Sequence, residues 1–389
     1  MSIIYLDNAA TTQTSRYVFE QMMPYLKDQY GNPSSNYSLG LKARKAKEAA
    51  REKVASLINA EPEEIFFTSG ATEANNWMLH SVLDEFRDIG SIMISNIEHA
   101  SIWRSLEYAT KDRYQIVRCS GTGEIHPFAL ERRFRSNKKR ITLLSIMMVN
   151  NETGVINDIK SLAKESHYMY VPFHTDATQA LGHIKIDVKD LCVDALSGSA
   201  HKIYGPKGVG FLYIRKRSTL YDIAHRHPYI IGGHQESGLR GGTENLAGIV
   251  GLGAACEETK IYLGDKDKEF GLKKMSNNML DVLKKEVIAQ LNNDEIVRSV
   301  PTLSVRIPGV KNHELIQLLD EENVCVSAGS ACNENQTKPS HVLSSMGIKE
   351  NEINETIRIS IGRNNTESEI KTASEIIIDK VKTLKTFND

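Results

Sequence analysis

From about residue 60 to about residue 215, short apolar runs alternate with stretches of helical periodicity, and few architectures accept that pattern. The runs Ile65–Thr68, Ile92–Ile94, Ile141–Ile146, Tyr170–Thr175 and Val209–Ile214 read as strands. Their near-continuous apolar character predicts burial on both faces, as in a mostly parallel sheet flanked by helices, an α/β fold. One such helix is expected from Leu41 through Ile58, with Ala46, Ala50, Val54, Leu57 and Ile58 along one side. After about residue 262 the texture changes to a long charged helix, a strand at Leu303–Ile307, a helix from His313 and a final helix carrying Ile370, Ala373, Ile377, Val381 and Leu384 at helical spacing. The expected organisation is a large α/β domain over 15–262 and a smaller α+β domain of 1–14 plus 263–389.

Composition narrows the function. Lys and Arg total 48 against 49 Asp and Glu, so no net charge recommends DNA, RNA or an anionic membrane as a partner. No run approaches the roughly 18 apolar residues of a membrane span, and the start of the chain lacks a basic segment followed by an apolar one; a cytoplasmic location is expected. Cysteines stand at 119, 192, 256, 325 and 332, an odd number without a CxxC pair, which fits reduced thiols rather than a disulfide framework or a zinc site.

Several segments carry residue types suited to chemistry. In Ser197–Gly208, Lys202 sits between small residues and a glycine-rich turn, a setting in which a lysine of lowered pKa forms a Schiff base while Ser199 and His201 hold a phosphate. By itself the lysine reads equally as a solvated loop residue, and Lys207, in Gly-Pro-Lys-Gly, as an exposed turn. Asp176 is expected at the carboxyl end of a core strand, where α/β sheets bind ligands; it suits a pyridinium nitrogen, or a helix cap for the segment from Ala177. Ser69-Gly70-Ala71-Thr72-Glu73 outlines a strand-to-helix anion cradle without the Walker pattern or GxGxxG, so a nicotinamide dehydrogenase is disfavoured. A bland turn fits it too.

His99 follows another strand and could stack on a planar cofactor or act catalytically by carrying a proton, or simply begin a helix. Asn151 and Gln179 offer neutral amides after strands, either for a ring oxygen or as turn chemistry. Cys325, between Val324 and Val326, reads as a small buried hydrophobe, whereas Cys332 lies in a small-residue run leading into a polar stretch, the setting of an exposed thiol that attacks one partner and delivers to another. An inert loop cysteine is the plain alternative.

These segments, with Tyr5–Thr12, Gly31–Ser35, Gly238–Asn245 and Arg358–Gly362, resemble the cysteine desulfurases of the class V aminotransferase family, in the branch that includes the NifS and IscS enzymes. The resemblance runs over nearly the whole chain. It implies a fold-type I transferase dependent on pyridoxal 5'-phosphate, with Lys202 as the Schiff-base lysine, Asp176 on the pyridinium, His99 stacked on the ring, and Gln179 and Asn151 around its oxygen. Ala71, Thr72, Ser199 and His201 then bind the phosphate, and Thr243 reaches the phosphate of a neighbouring subunit in a homodimer with shared sites. Arg358 and Asn32 receive the substrate, L-cysteine, and Cys332 carries its sulfur as a persulfide to an acceptor protein. Iron–sulfur cluster assembly, tRNA thiolation, thiamine or molybdenum cofactor synthesis and DNA phosphorothioation all remain open as destinations. An aminotransferase or a selenocysteine lyase would share the fold, as would a sulfur-carrier partner without activity. Asn333 through Lys338 is more polar than the resemblance leads one to expect, and this is where acceptor preference would be set.

Overall fold

A computed structural model describes residues 2–87, 89–108, 113–136, 140–293, 300–329 and 339–388. In chain order the strands are β1 (Ile4–Tyr5), β2 (Ile65–Thr68), β3 (Gly90–Ser95), β4 (Tyr114–Val117), β5 (Arg140–Ser145) and β6 (Phe173–Asp176). They continue as β7 (Ala195–Ser199), β8 (Gly210–Ile214), β9 (Gln290–Leu291), β10 (Thr302–Arg306), β11 (Val324–Cys325) and β12 (Thr356–Ser360). A seven-stranded sheet has the order β2-β8-β7-β6-β5-β3-β4. Strands β7, β6, β5, β3 and β4 pair in parallel, and β8 runs against both of its neighbours.

The apolar runs do become strands, and two departures have local causes. The expected strand at Tyr170 begins only at Phe173, because Tyr170 takes a left-handed backbone (φ 56°) as the chain leaves the helix Ile159–Tyr168. Strand β7 lacks an apolar run altogether: its sequence is Ala-Leu-Ser-Gly-Ser. The small residues are required by packing, since a Cβ on Gly198 would fall 2.5 Å from the Phe211 ring across the sheet.

Two apolar clusters fill the faces of this sheet, one including Met93, Leu144, Phe173, Leu196 and Phe211, the other Trp77, Ile92, Leu143 and Leu212. The helix expected from Leu41 spans Ser38–Ile58 and ends where Asn59 turns left-handed. A separate core gathers Ile4 and Leu6 with the strands β10 and β12 and the helices Lys266–Val287 and Glu367–Asn388. Strand β1 pairs in parallel with β11, and Asp7 bridges to Ser360, so the first residues of the chain are stitched to its last third. Among the described residues no helix is long and apolar enough to cross a membrane.

Candidate active site

The carboxyl ends of the sheet strands deliver the site. Thr68 ends β2 and leads into the Ser69-Gly70 turn, His99 follows β3, Asn151 follows β5, Asp176 ends β6 and Lys202 follows β7. These turns surround a cavity of about 420 Å³ lined by Ala71, Thr72, His99, Asn151, Asp176, Gln179, Ser199, His201, Lys202 and Arg358, which collects most of the residues the sequence pointed to. Such a crevice beyond the strand ends is where α/β sheets place their ligands.

At one wall the helix Ala71–Glu85 starts at Gly70 with no side chain capping it. Uncapped N–H groups and the positive end of the helix dipole make Ala71 and Thr72 a seat for an anion. Glu73 accepts the Ser69 N–H at 2.9 Å and pairs with Arg240 at 2.8 Å, which holds the turn in place. Close packing needs Gly210 opposite, where a Cβ would lie 2.7 Å from Gly70 Cα. His201 meets Thr11 Oγ1 through Nδ1 at 3.1 Å, and burial, with Lys202, Lys207 and His99 adding to it, pushes its pKa down to about 4.

Asp176 is buried, yet both of its donors are neutral: Asn75 Nδ2 at 2.7 Å and the Thr178 N–H at 2.9 Å. No helix follows it directly: Thr178 to His183 is a run of turns, so this carboxylate caps a turn through the Thr178 N–H rather than a helix. His99 Nδ1 lies 2.9 Å from Ser101 Oγ and accepts the Ser101 N–H at 3.1 Å; burial holds its pKa below the ordinary histidine range. Its neighbour Glu98 is fully buried, bonds Ser95 and the Met147 N–H, and is pushed up to about 8 by burial.

Lys202 Nζ donates to the carbonyl oxygens of Ala9 and, at 2.6 Å, Ala10; Gln179 donates to the same Ala9 oxygen at 2.8 Å. Arg358, on β12, is 2 % exposed; its Nη2 meets Asp7 Oδ1 at 2.6 Å and its Nη1 donates to the Asn151 carbonyl at 3.0 Å. Ser327 donates to the same Asp7 oxygen at 3.2 Å.

Some expected residues lie elsewhere. Asn32 and Thr243 do not line the cavity of a single chain; Asn32 Oδ1 accepts the Ser34 N–H at 2.9 Å, and Thr243 is exposed. Cys332 lies outside the described residues. Cys325 is half-buried, not fully buried as its flanking valines suggested, because Val324 and Val326 face the core and strand alternation turns Cys325 to the other side. Lys207 is exposed as expected but reaches the mouth of the cavity. Reading by residue type missed Ala9, Ala10, Asp7 and Asn75; for the first three, the run Asp7-Asn8-Ala9-Ala10-Thr11-Thr12 that carries the resemblance was the available signal.

The arrangement fits pyridoxal 5'-phosphate on its own terms. An amine, an anion seat at an uncapped helix start, and a buried carboxylate held by neutral donors line one cavity, and Thr178 Oγ1 is buried there without a partner among the described residues. Comparison with known proteins agrees. The family Aminotransferase class-V matches residues 4–372. A protein named cysteine desulfurase IscS from Methanosarcina thermophila is 36% identical over 99% of this chain and 93% of its own length. Another of that name, from Dictyoglomus turgidum, is 38% identical over 99% of this chain and 96% of its own. Among solved structures, a NifS-like protein superposes with a TM-score of 0.89 at 32% identity, covering 98% of this chain and all of that one (100%). A structure described as SspA in complex with cysteine has a TM-score of 0.78 at 32% identity, over 93% of this chain and 99% of that one. With a cavity that suits the cofactor and a match spanning nearly its whole length, this chain belongs to the class-V aminotransferases, enzymes that work with pyridoxal 5'-phosphate.

Proposed function

We propose that the protein is a cysteine desulfurase that converts L-cysteine to L-alanine and passes the sulfur, as a persulfide on Cys332, to an acceptor protein. The observation that carries this reading is the convergence of Lys202, Asp176 and Arg358 on one cavity, in a chain whose relatives bear that name. When bound, pyridoxal phosphate supplies an electron sink that acidifies the substrate Cα–H. Lys202 would hold it through a Schiff base and, once displaced by the substrate amine, move the Cα proton. The Ala9 and Ala10 carbonyls give that amine a place to rest.

Asp176 would keep the ring nitrogen protonated, and His99 would cover the ring face. Asn151 and Gln179 would meet the phenolic oxygen, and Ala71, Thr72, Ser199 and His201 would seat the phosphate. Arg358, with Asn32, would orient the substrate, its planar fork already aligned by Asp7 and the Asn151 carbonyl. Cys332 thiolate then attacks the substrate sulfur: an S–S bond forms, the C–S bond breaks, and its electron pair stays on carbon, which takes up one proton to become the methyl group of alanine.

We read the functional unit as a homodimer in which Thr243 completes the phosphate site of the partner subunit. The division into a domain of 15–262 and one of 1–14 plus 263–389 is supported by the separate core that Ile4 and Leu6 share with the last third of the chain. The IscS names favour iron–sulfur cluster assembly over tRNA thiolation or DNA phosphorothioation as the use of the sulfur.

The test is Cys332→Ser. It should retain the cofactor's absorbance, while alanine formation and protein-bound persulfide both fall at least about a hundredfold. Persulfide at the normal rate in this variant would refute the assignment.

A further inference from the structure

The side chain of Asn75 has no place in the chemistry so far, yet it is completely buried and joins two of the site's groups. Its Nδ2 carries two hydrogens; one goes to Asp176 Oδ2 at 2.7 Å and the other to Ser101 Oγ at 2.8 Å. The amide orientation is dictated by Asp176, because the reversed amide would set Oδ1 against a carboxylate oxygen. With a lone pair of Ser101 Oγ taken by Asn75, the hydroxyl hydrogen is directed to the remaining neighbour, His99 Nδ1, at 2.9 Å. The backbone N–H of Ser101 donates to the same nitrogen at 3.1 Å. A nitrogen receiving two donors must offer a lone pair. An imidazolium would turn an N–H against the fixed Ser101 N–H and force the hydroxyl to rotate away.

We infer that Asn75, acting through Ser101, is a positioning residue that holds His99 as the neutral tautomer protonated on Nε2, while anchoring the same Asp176 that faces the cofactor. His99 then meets the ring as a stacking surface and hydrogen-bond donor, and any proton transfer at substrate carbon falls to Lys202. The charged and titratable groups around His99 are Asp176, which favours a cation there, Lys202 and His341, which oppose it, and His201, whose own pKa His99 helps to lower. Asn75 Oδ1 is left buried without a partner among the described residues, a cost that mere space-filling at this position would not require. The relay also explains why an amide serves here better than an apolar residue of the same volume, which would leave Ser101 and Asp176 each short of a donor.

The inference rests on the cofactor reading above, and the test separates the two. Holoenzyme labelled with ¹⁵N-histidine, with His99 assigned from the signal lost in His99→Gln, is examined by two-bond proton–nitrogen correlation. His99 should show an unprotonated Nδ1 and a protonated Nε2 that do not change between about pH 6 and about pH 8. Ser101→Ala should let the ring titrate, its midpoint rising by about one pH unit. Asn75→Leu should weaken retention of pyridoxal phosphate roughly tenfold, measured as cofactor release followed by absorbance, through loss of a hydrogen bond to a charged group. A proton on Nδ1 in the unaltered holoenzyme, or a Ser101→Ala ring with the same nitrogen pattern and pH response as the parent, would overturn the inference. The first of these needs no variant to fold. Absence of any cofactor absorbance would overturn the parent reading and this inference with it, whereas a normal cofactor spectrum with the wrong tautomer would sink this inference alone.

Discussion

Asp176 and Arg358 are both buried charges lining one cavity, and they are treated in opposite ways. The carboxylate is supported by an amide and a backbone N–H, neutral dipoles that stabilise its charge without cancelling it. The guanidinium meets the carboxylate of Asp7 at 2.6 Å and a carbonyl at 3.0 Å, so much of its charge is balanced before any substrate arrives. A group kept charged by dipoles is prepared for a permanent, oppositely charged tenant. A group balanced by a counter-ion contributes direction more than attraction, which suits a substrate that must leave.

The largest effect that would break this contrast comes from Asp176→Asn, which keeps the shape and removes the charge. It should lower kcat roughly 10²- to 10³-fold, because the ring loses the anion that keeps it an effective electron sink. A loss below about threefold would mean that the dipoles around position 176, not its charge, are what matters. Arg358→Lys tests the other side. A point charge in place of a fork should raise KM for cysteine about tenfold with a smaller change in kcat, and an unchanged KM would show that the fork's geometry is not used.

The smallest expected effect concerns the support beneath Asp176. His174, two residues earlier on β6, is buried between the hydroxyls of Ser145 and Ser197, at 2.8 and 3.0 Å. Burial holds it well below the ordinary histidine range, although the Asp176 charge acts in the other direction. In the unfolded chain it titrates near ~6.5, so below that pH the unfolded state binds a proton that the folded state does not. Stability from this group is therefore complete above pH ~6.5 and is lost as pH falls through the range down to its depressed folded value. In His174→Gln, the slope of unfolding free energy against pH over that range should be shallower by about one proton; an unchanged slope would place the acid sensitivity elsewhere.

The legible part of the molecule was the part written in residue type. Strand β2 was read with its observed limits; Asp176 and His99 announced themselves at or after the ends of core strands, and Lys202 by its setting between small residues and a glycine-rich turn. Strand β7 escaped because packing against Phe211 demands small residues where apolar ones would have signalled burial. The carbonyls of Ala9 and Ala10 escaped because a backbone oxygen has no letter of its own. Asn75 escaped for a third reason: its partners, Ser101 and Asp176, lie 26 and 101 residues away, a proximity that no local pattern encodes. Roles assigned to Asn32 and Thr243 came from resemblance, while that of Cys332 was also suggested by its small-residue setting, and Cys332 lies outside the described residues.

The opening dozen residues have a consequence for handling the protein. The oxygen of Ala9 receives both Lys202 and Gln179, while Thr12 bonds the His201 carbonyl and Leu6 is sealed among residues from the far end of the chain. A protease nick at this point would therefore not act as harmless loss of a frayed end. It would loosen the docking of the C-terminal third and release the Lys202 amine from the Ala9 and Ala10 carbonyls in one stroke, an event that mass spectrometry of the N-terminal peptide would detect.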